Sequence, residues 1–427
     1  MDRKKKVFFK NTVMLYILQF STYVFSFATV PYQTRVLGPA VYGYLGVAAA
    51  LMAYFQLVMD FGFLLSATQD VSQNRLDKAK LNRIYTSVNV IKAALALLSF
   101  GAMFLICWLV PKYHGNLLLY VLYFAAFAVN AFLPDYLYRG LEEMQSITYR
   151  TVAVKALFTV LVFVFIKGPE DYLLVPVLLG IGNVIAVVWA HIHVHKKLGI
   201  RFTSEGLGNE VKVQTKRSAF FFLSRIATTV FTTTNTVILG AGSAFNDTMT
   251  GFYNAADRLI TTGRNCVSPL SDSAYPYMIK NKDFKLVKKI LLIFEPLIVV
   301  FCIGVFIFAD PLCGLLFGKD FITLGAGVDY TTGDILRAML PIGVFTLPNY
   351  ILGFPTLGAL GYNKEVNWSI IAGTVIHLIN LAVLFGFNIV NAFTLAILTS
   401  VAEGIILLFR IAVLLIHRKD IAKLQQG

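Results

Sequence analysis

The sequence predicts an all-α polytopic membrane protein with about twelve transmembrane helices in two six-helix lobes. Three observations support this prediction. Of its 427 residues, 57% are hydrophobic and only 14% are charged, and the mean hydropathy is +0.70. Apolar runs of about twenty residues, the length that crosses a bilayer, recur along the whole chain. A polar stretch near the middle divides these runs into two sets of six.

Each predicted helix is an apolar run bounded by polar or turn-forming residues. Six of them precede the central polar stretch, at residues 11–30, 41–66, 82–110, 116–141, 147–167 and 172–194. Six follow it, at residues 217–240, 249–275, 288–309, 333–359, 366–387 and 392–416. We therefore expect an N-terminal lobe (1–195), a cytoplasmic inter-lobe loop (196–216) and a C-terminal lobe (217–427).

Lysine and arginine are distributed unequally between alternate loops. With the N-terminus inside, the inner segments hold 28 of the 37 Lys and Arg residues and the outer segments hold four. Because basic residues near a span are retained on the cytoplasmic side, we expect both termini in the cytoplasm. The net charge of +14 then reflects this topology and attraction to anionic lipids, and no nucleic acid partner is expected.

The eighth predicted helix contains charged residues, which are unusual in a segment that crosses a membrane. It contains Asp257, Arg258, Arg264 and Asp272, although one charge at membrane depth costs at least about 2.5 kcal/mol. At 100° per residue its polar side chains share one side, namely Asn254, Asp257, Thr261, Arg264, Ser268, Ser271 and Asp272. Such a stripe predicts a solvated internal pathway, and ion bridges between helices are the alternative explanation.

The seventh predicted helix places a guanidinium and several hydroxyl groups on one face. These residues are Arg225, Thr228, Thr229, Thr232 and Thr236. Lipid would not satisfy so many polar groups, so we expect this face to line a cavity as well. Arg225 and Arg264 are then the best candidates to hold an anionic group, because a guanidinium can bind two phosphate oxygens at once.

His377 and Glu403 lie at about the same depth in the last two predicted helices. Antiparallel neighbours could bring them together as an ion-coupling pair that exchanges protons, and a structural hydrogen bond is the alternative. The triplet His191, His193 and His195 resembles a metal tract, but residues two apart point to different faces of a helix, so no metal is expected. No cofactor is expected either, because a phosphate-binding glycine loop is missing from the sequence.

Three stretches of the first half resemble the Wzx-type oligosaccharide repeat-unit flippases. These belong to the multidrug/oligosaccharidyl-lipid/polysaccharide exporter superfamily. The stretches are residues 31–43 (PYQTRVLGPAVYG), residues 60–68 (DFGFLLSAT) and residues 134–144 (PDYLYRGLEEM). The first is similar to a P-x-x-x-R-x-L-G-P-x-x-Y-G signature, and the third to a P-x-W-x-x-Q-G-x-E-x-M element. This sequence departs from the third pattern at Tyr136, in place of Trp, and at Arg139, in place of Gln.

The resemblance implies a MATE-like fold and a substrate in which pyrophosphate joins an oligosaccharide to a polyprenyl lipid. Such a flippase would carry repeat units to the outer leaflet for capsule, O-antigen or exopolysaccharide synthesis, by alternating access coupled to an ion gradient and without enzymatic chemistry. Its partners would include membrane lipids, a polysaccharide polymerase and a chain-length regulator. We expect the headgroup and sugars to contact Arg35, Arg225, Thr232, Asp257, Arg258 and Arg264. Arg35 would lie at the outer rim of the cavity or at its gate, and a structural role as a helix-end anchor is the alternative.

Two other classes of protein stay open at this point. A multidrug/ion antiporter of the same superfamily would share the fold, but many of these carry an acid in the first helix, and no Asp or Glu occurs between Asp2 and Asp60. A membrane polysaccharide polymerase or glycosyltransferase would present catalytic residues on a large outer loop. The longest one, about residues 310–332, holds Asp320 and Asp329 without a paired catalytic motif.

Overall fold

The computed structural model describes residues 3–241, 246–325 and 328–417. Within these ranges the side chains of residues 3–12, 15, 220, 223, 224, 227, 228, 231, 232, 272, 276 and 279–281 are outside the description. Regular structure in the described ranges is entirely helical, as predicted. The α-helices are α1 (Arg3–Asp60), α2 (Phe63–Gln73), α3 (Lys78–Leu109), α4 (Pro111–His114), α5 (Leu117–Ala131), α6 (Asp135–Gly140), α7 (Met144–Phe165), α8 (Leu174–His193), α9 (Leu207–Ala241), α10 (Asp247–Asn281), α11 (Phe284–Ile307), α12 (Ala309–Phe317), α13 (Thr332–Ile351), α14 (Asn363–Gly386) and α15 (Ala392–Ile416).

The first two predicted helices run on as α1, with one break between them. Gly38 is the non-helical residue at this break (φ 74°, ψ 169°), a conformation that is essentially restricted to glycine. Pro39 follows at once, and proline suits the first turn of a helix because the N–H it lacks would have no partner there. The loop expected at residues 31–40 is therefore reduced to a kink.

Other predicted spans are interrupted where the backbone leaves the helical region. Phe61 (φ 39°) and Gly62 (φ 78°) separate α2 from α1. The fourth predicted span divides into α5 and α6 before Pro134, which precedes α6. The tenth span ends as a π-helical segment, Leu352–Gly358, in which Gly353 has non-helical angles (φ −67°, ψ −122°).

Nine helical stretches in the described ranges are long and apolar enough to cross a membrane. One of them, Tyr16–Gln73, contains most of the first predicted span and all of the second. The seventh and eighth predicted spans, within α9 and α10, are not among the nine. Charged, amide and hydroxyl side chains make α10 polar, and seven side chains of α9 lie outside the description. Twelve membrane crossings therefore agree with these nine stretches.

The chain divides into two compact units. Unit 1 comprises Met1–Val41, Leu45–Thr229 and Ala241–Ser243, and unit 2 comprises Tyr42–Tyr44, Val230–Gly240 and Ala244–Gly427. In unit 1 a buried cluster includes Phe63, Tyr85, Tyr136 and Ile147 from four different helices. In unit 2, α13 lies at the centre and packs against α10, α11, α12 and α15.

Candidate functional site

A buried carboxylate and an arginine meet inside unit 2. Arg264 of α10 places Nη2 2.7 Å from Oε1 of Glu403 in α15. The Glu403 side chain is only 5% exposed, whereas that of Arg264 is 22% exposed. A helix as apolar as α15 accepts a carboxylate at mid-length because the guanidinium compensates its charge. The cation of this pair is therefore the more accessible partner, and the anion is almost fully buried.

Two adjacent residues of α13 complete the surroundings of this ion pair. Asn349 donates from Nδ2 to Oε2 of Glu403 at 2.9 Å and to the backbone oxygen of the same residue at 3.1 Å. Tyr350 forms a side-chain hydrogen bond with Arg264. Both residues lie just before the π-helical segment, so the irregular end of α13 positions the groups that hold the pair.

A second arginine fills the irregular region of α13. Arg410 of α15 is 6% exposed, donates from Nη1 to the backbone oxygen of Asn349, and donates from Nε to Ser369 Oγ at 3.0 Å. A Cβ added at Gly353 would lie 3.0 Å from Arg410 Nη1. From the sequence, Arg410 was assigned only as one of the basic residues of the inner side. A single arginine within an apolar helix was the signal that could have indicated its buried role.

Three residues of the polar stripe predicted for α10, namely Asn254, Arg264 and Ser271, contact other helices of unit 2. Thr236 donates to Asn254 Oδ1 at 3.1 Å, and Ser271 donates to the backbone oxygen of Tyr350 at 3.2 Å. Arg264 pairs with Glu403 of α15, and this contact is an ion bridge between two helices. For these three residues the described contacts join helices, which is the alternative considered for the charges. The solvated pathway stays a prediction.

The exposed face of α10 is a different one from the predicted stripe. Arg258 lies on it, together with Gly263, Cys266, Ser273 and Tyr277. Asp257 is half-buried, accepts a hydrogen bond from Thr261, and lies within electrostatic reach of both Arg258 and Arg264. Two cations and one carboxylate thus lie close together on α10, and Arg258 is the most exposed of the three.

His377 and Glu403 have different described partners. His377 is fully buried, and its Nε2 lies 2.9 Å from Asn235 Oδ1. Asn235 in turn donates from Nδ2 to Thr399 Oγ1 at 2.8 Å and to the hydroxyl of Tyr253 at 3.0 Å. The described contacts of Glu403 go to Arg264 and Asn349. Ion coupling by His377 and Glu403 stays a prediction.

The remaining predicted arginines belong to unit 1. Arg35 is exposed on α1, and Arg225 is half-buried on α9 within electrostatic reach of Asp60. Thr232, the other residue proposed from the seventh span, lies outside the described side chains. The roles expected for Arg35, Arg225 and Thr232 therefore stay predictions.

Unit 1 has its own buried charges, which the sequence analysis did not use. Lys92 is 4% exposed, donates to the backbone oxygen of Ala131, and lies within electrostatic reach of Asp60 and Asp135. Asp135 also accepts from Nη2 of the buried Arg150 at 2.6 Å. A lone lysine in an apolar helix was the available signal, and it indicates carboxylate partners on neighbouring helices.

The second and third resembling stretches contact each other in unit 1. Thr68 of α2 donates to the backbone oxygen of Tyr136 at 3.2 Å. A Cβ added at Gly140 would lie 2.4 Å from a methyl carbon of Val71, so only glycine allows α6 to approach α2 this closely. These two motifs therefore specify how α2 and α6 pack.

The three histidines at the end of α8 each contact a different partner. His191 Nε2 lies 3.1 Å from the backbone oxygen of Phe132, and His193 Nδ1 lies 3.2 Å from the Tyr138 hydroxyl. His195 Nδ1 lies 2.8 Å from the backbone oxygen of Ile200. These contacts account for the three imidazoles as packing residues of unit 1.

The fold is that of the multidrug and lipid-linked oligosaccharide exporters. It resembles the inward-facing structure of a multidrug resistance MATE family transporter with a TM-score of 0.67 and 13% identity, over 94% of this chain and 96% of that one. It also resembles an inward closed structure of the lipid II flippase MurJ with a TM-score of 0.71 and 13% identity, over 94% and 87% of the two chains. At these identities the likeness shows the fold alone, and it confirms the predicted MATE-like architecture.

Residues 8–282 match the family described as "Polysaccharide biosynthesis protein", and the chain belongs to this family. Two relatives carry the name "Putative O-antigen transporter". The protein from Shigella dysenteriae is 26% identical over 87% of this chain and 91% of its own length, and the protein from Escherichia coli K12 is 24% identical over 89% and 90%. The resemblance inferred from the three sequence stretches is confirmed.

Proposed function

We propose that this protein is a flippase that moves polyprenyl-pyrophosphate-linked oligosaccharide repeat units from the inner to the outer leaflet of the bacterial inner membrane. The repeat units would serve the synthesis of O-antigen, capsule or exopolysaccharide. Family membership supports this proposal, as do the names of two relatives and of a structural neighbour that flips lipid II. Alternating access, by which the substrate site opens to one leaflet at a time, suits the exporter fold.

The observation that carries the proposal is that α10 presents two arginines, Arg258 and Arg264, within a membrane-embedded bundle. Arg258 is exposed and Arg264 is partly exposed on a helix that is too polar to qualify as an ordinary membrane span. Guanidinium groups bind phosphate oxygens in pairs, so they suit the pyrophosphate of a lipid-linked sugar. Arg35, Arg225, Thr232 and Asp257 are further proposed contacts of the headgroup and sugars.

Translocation in this proposal makes and breaks no covalent bond. The energy would come from an ion gradient, with His377 and Glu403 as the proposed proton-exchanging groups. Both termini would lie in the cytoplasm. A polysaccharide polymerase and a chain-length regulator would act on the repeat units after they reach the outer leaflet.

The proposal is tested in a host from which this gene has been removed. We expect complete lipid-linked repeat units to accumulate in the inner leaflet, as judged with a membrane-impermeant probe, while surface polysaccharide disappears. The wild-type gene should restore export. Arg258→Ala should reduce export at least about tenfold, because a charge-assisted hydrogen bond contributes about 1.5–3 kcal/mol.

Arg201→Ala is the matched control, because Arg201 is an exposed arginine of the segment before α9 and is not proposed to bind substrate. It should restore export fully. Repeat units that reach the outer leaflet normally in the deleted host would contradict the proposal. Drug resistance conferred on a sensitised host would favour the antiporter, and transferase activity of the purified protein would favour the enzyme.

A further inference from the structure

We propose that Glu403 is an internal anion that occupies Arg264 when no substrate is bound, and that the pyrophosphate of the substrate displaces it. This inference rests on the proposed function and assigns a role to the ion pair that the structure places inside unit 2. Glu403 would then lower the affinity for the lipid pyrophosphate, and its return to Arg264 would promote release.

The accessibility of the two partners supports this order of events. Arg264 keeps 22% of its side chain exposed, while Glu403 keeps 5% and accepts a hydrogen bond from Asn349. An entering anion therefore meets the guanidinium first. The carboxylate belongs to unit 2 itself. Next to Arg264 it supplies negative charge at the position that phosphate oxygens would otherwise take.

The donor geometry of Arg264 makes the two anions competitors. A guanidinium holds phosphate through a pair of neighbouring N–H groups, either Nε with Nη2 or Nη1 with Nη2. Glu403 contacts Nη2, which is the nitrogen common to both pairs, and Tyr350 uses a further hydrogen bond of the same side chain. Bidentate binding of pyrophosphate by Arg264 is therefore weakened as long as Glu403 stays in place.

Other contacts stabilise the Glu403 carboxylate after the substrate has displaced it from Arg264. Asn349 donates to Oε2, the oxygen that does not contact Arg264. Arg410 lies within electrostatic reach and is itself fixed by Asn349 and Ser369. These contacts would keep the carboxylate inside the unit, where it can re-form the pair with Arg264 after the substrate leaves.

The competing explanation is that the ion pair only stabilises the fold. Buried ion pairs often have this role, and losing one partner leaves an uncompensated charge. The two explanations differ in what they predict for ligand affinity. A structural pair has no reason to weaken the binding of pyrophosphate, whereas a competitor must do so.

The test measures the affinity of the purified full-length protein for polyprenyl pyrophosphate, with the uncharged polyprenol as the reference ligand. Glu403→Gln keeps the size of the side chain and an oxygen for Asn349 but removes the charge. We expect this variant to bind polyprenyl pyrophosphate about tenfold more tightly, to bind polyprenol unchanged, and to export repeat units more slowly.

Glu295→Gln is the matched control. It removes one carboxylate from α11 of the same unit but leaves the ion pair between Arg264 and Glu403 intact. It should leave the affinity for polyprenyl pyrophosphate unchanged. If Glu403→Gln does not fold, Glu403→Met, which buries no polar group, should show the same tightening. Equal or weaker binding in a folded Glu403 variant would overturn the inference alone. A wild-type protein that binds no polyprenyl pyrophosphate would remove the proposed function and the inference together.

Discussion

At the scale of residues, unit 2 contains more buried charge than an apolar helix bundle normally accepts. Arg264, Glu403 and Arg410 occupy neighbouring positions on α10 and α15, and Asn349 of α13 contacts both Glu403 and Arg410. Arg264 and Glu403 compensate each other across two helices, and Arg410 is held by hydrogen bonds to Asn349 and Ser369 from other helices. Removing one member therefore affects stability as well as function, and the two effects have to be separated by experiment.

Arg264→Ala should abolish export and also lower the free energy of unfolding. Breaking a buried ion pair costs about 3–5 kcal/mol, and the partial exposure of Arg264 reduces the expected loss to about 1–3 kcal/mol. The double variant Arg264→Ala/Glu403→Gln should recover much of the stability, because no carboxylate is left unpaired, and should still fail to export. Thermal unfolding in detergent and the repeat-unit assay measure the two quantities. Full export by folded Arg264→Ala protein would refute a role for Arg264 in binding.

At the scale of elements, the start of α9 shows how the inter-lobe segment is organised. The predicted loop extended over residues 196–216, but α9 already begins at Leu207. Glu210, Gln214 and Arg217 lie three or four residues apart on one face of α9. Lys80 contacts Glu210 at 2.7 Å, Gln214 donates to Asp70 at 2.7 Å, and Arg217 pairs with the same Asp70. These partners from α2 and α3 stabilise a polar helical turn that hydropathy does not distinguish from a loop.

The break in α1 leads to a prediction about Gly38. Alanine in the conformation of Gly38 should cost about 1–3 kcal/mol of unfolding free energy, because φ and ψ there are essentially restricted to glycine. Gly38→Ala should therefore lower the unfolding temperature in detergent, even though an added Cβ would meet nothing within 4 Å. If the Gly38→Ala protein folds with a straight α1, we expect its export of repeat units to change as well.

Gly101→Ala is the control for this prediction. Gly101 lies within α3, and a Cβ added there would also meet nothing within 4 Å. Its substitution should be neutral or stabilise the protein slightly, because alanine has the higher helix propensity. Similar unfolding temperatures for the two variants would show that the kink at Gly38 carries no conformational constraint.

At the scale of the whole molecule, the distribution of basic residues predicts the orientation in the membrane. We expect Ser204, between α8 and α9, to face the cytoplasm and Gly115, between α4 and α5, to face outside. Cysteines introduced by Ser204→Cys and Gly115→Cys can report this in a background in which the exposed Cys266 is replaced by serine. The other three cysteines, Cys107, Cys302 and Cys313, are buried.

A membrane-impermeant maleimide should label the Gly115→Cys protein in intact cells with the outer membrane permeabilised. It should label the Ser204→Cys protein only after lysis. Gly115 is a suitable position because a Cβ added there would meet nothing within 4 Å. The reverse labelling pattern would place both termini outside and contradict the expected orientation.

The sequence by itself determined the class of protein, the positions of its spans and the family. Hydropathy and span length are local properties, so α3, α7 and α11 lie within a few residues of their predicted bounds. The family signatures are also local, and Gly38, Thr68 and Gly140 can be recognised before any contact is known. Charged residues in α10 showed that this helix differs from an ordinary span.

Only the tertiary structure decided which charges compensate one another. The sequence suggested His377 as the partner of Glu403 from equal depth in adjacent helices, but the described contacts of Glu403 lead to Arg264 and Asn349. Depth along a helix follows from counting residues. The partner of a buried charge depends on the rotation of each helix and on which neighbours it packs against, and these are set by the irregular end of α13 together with long-range packing.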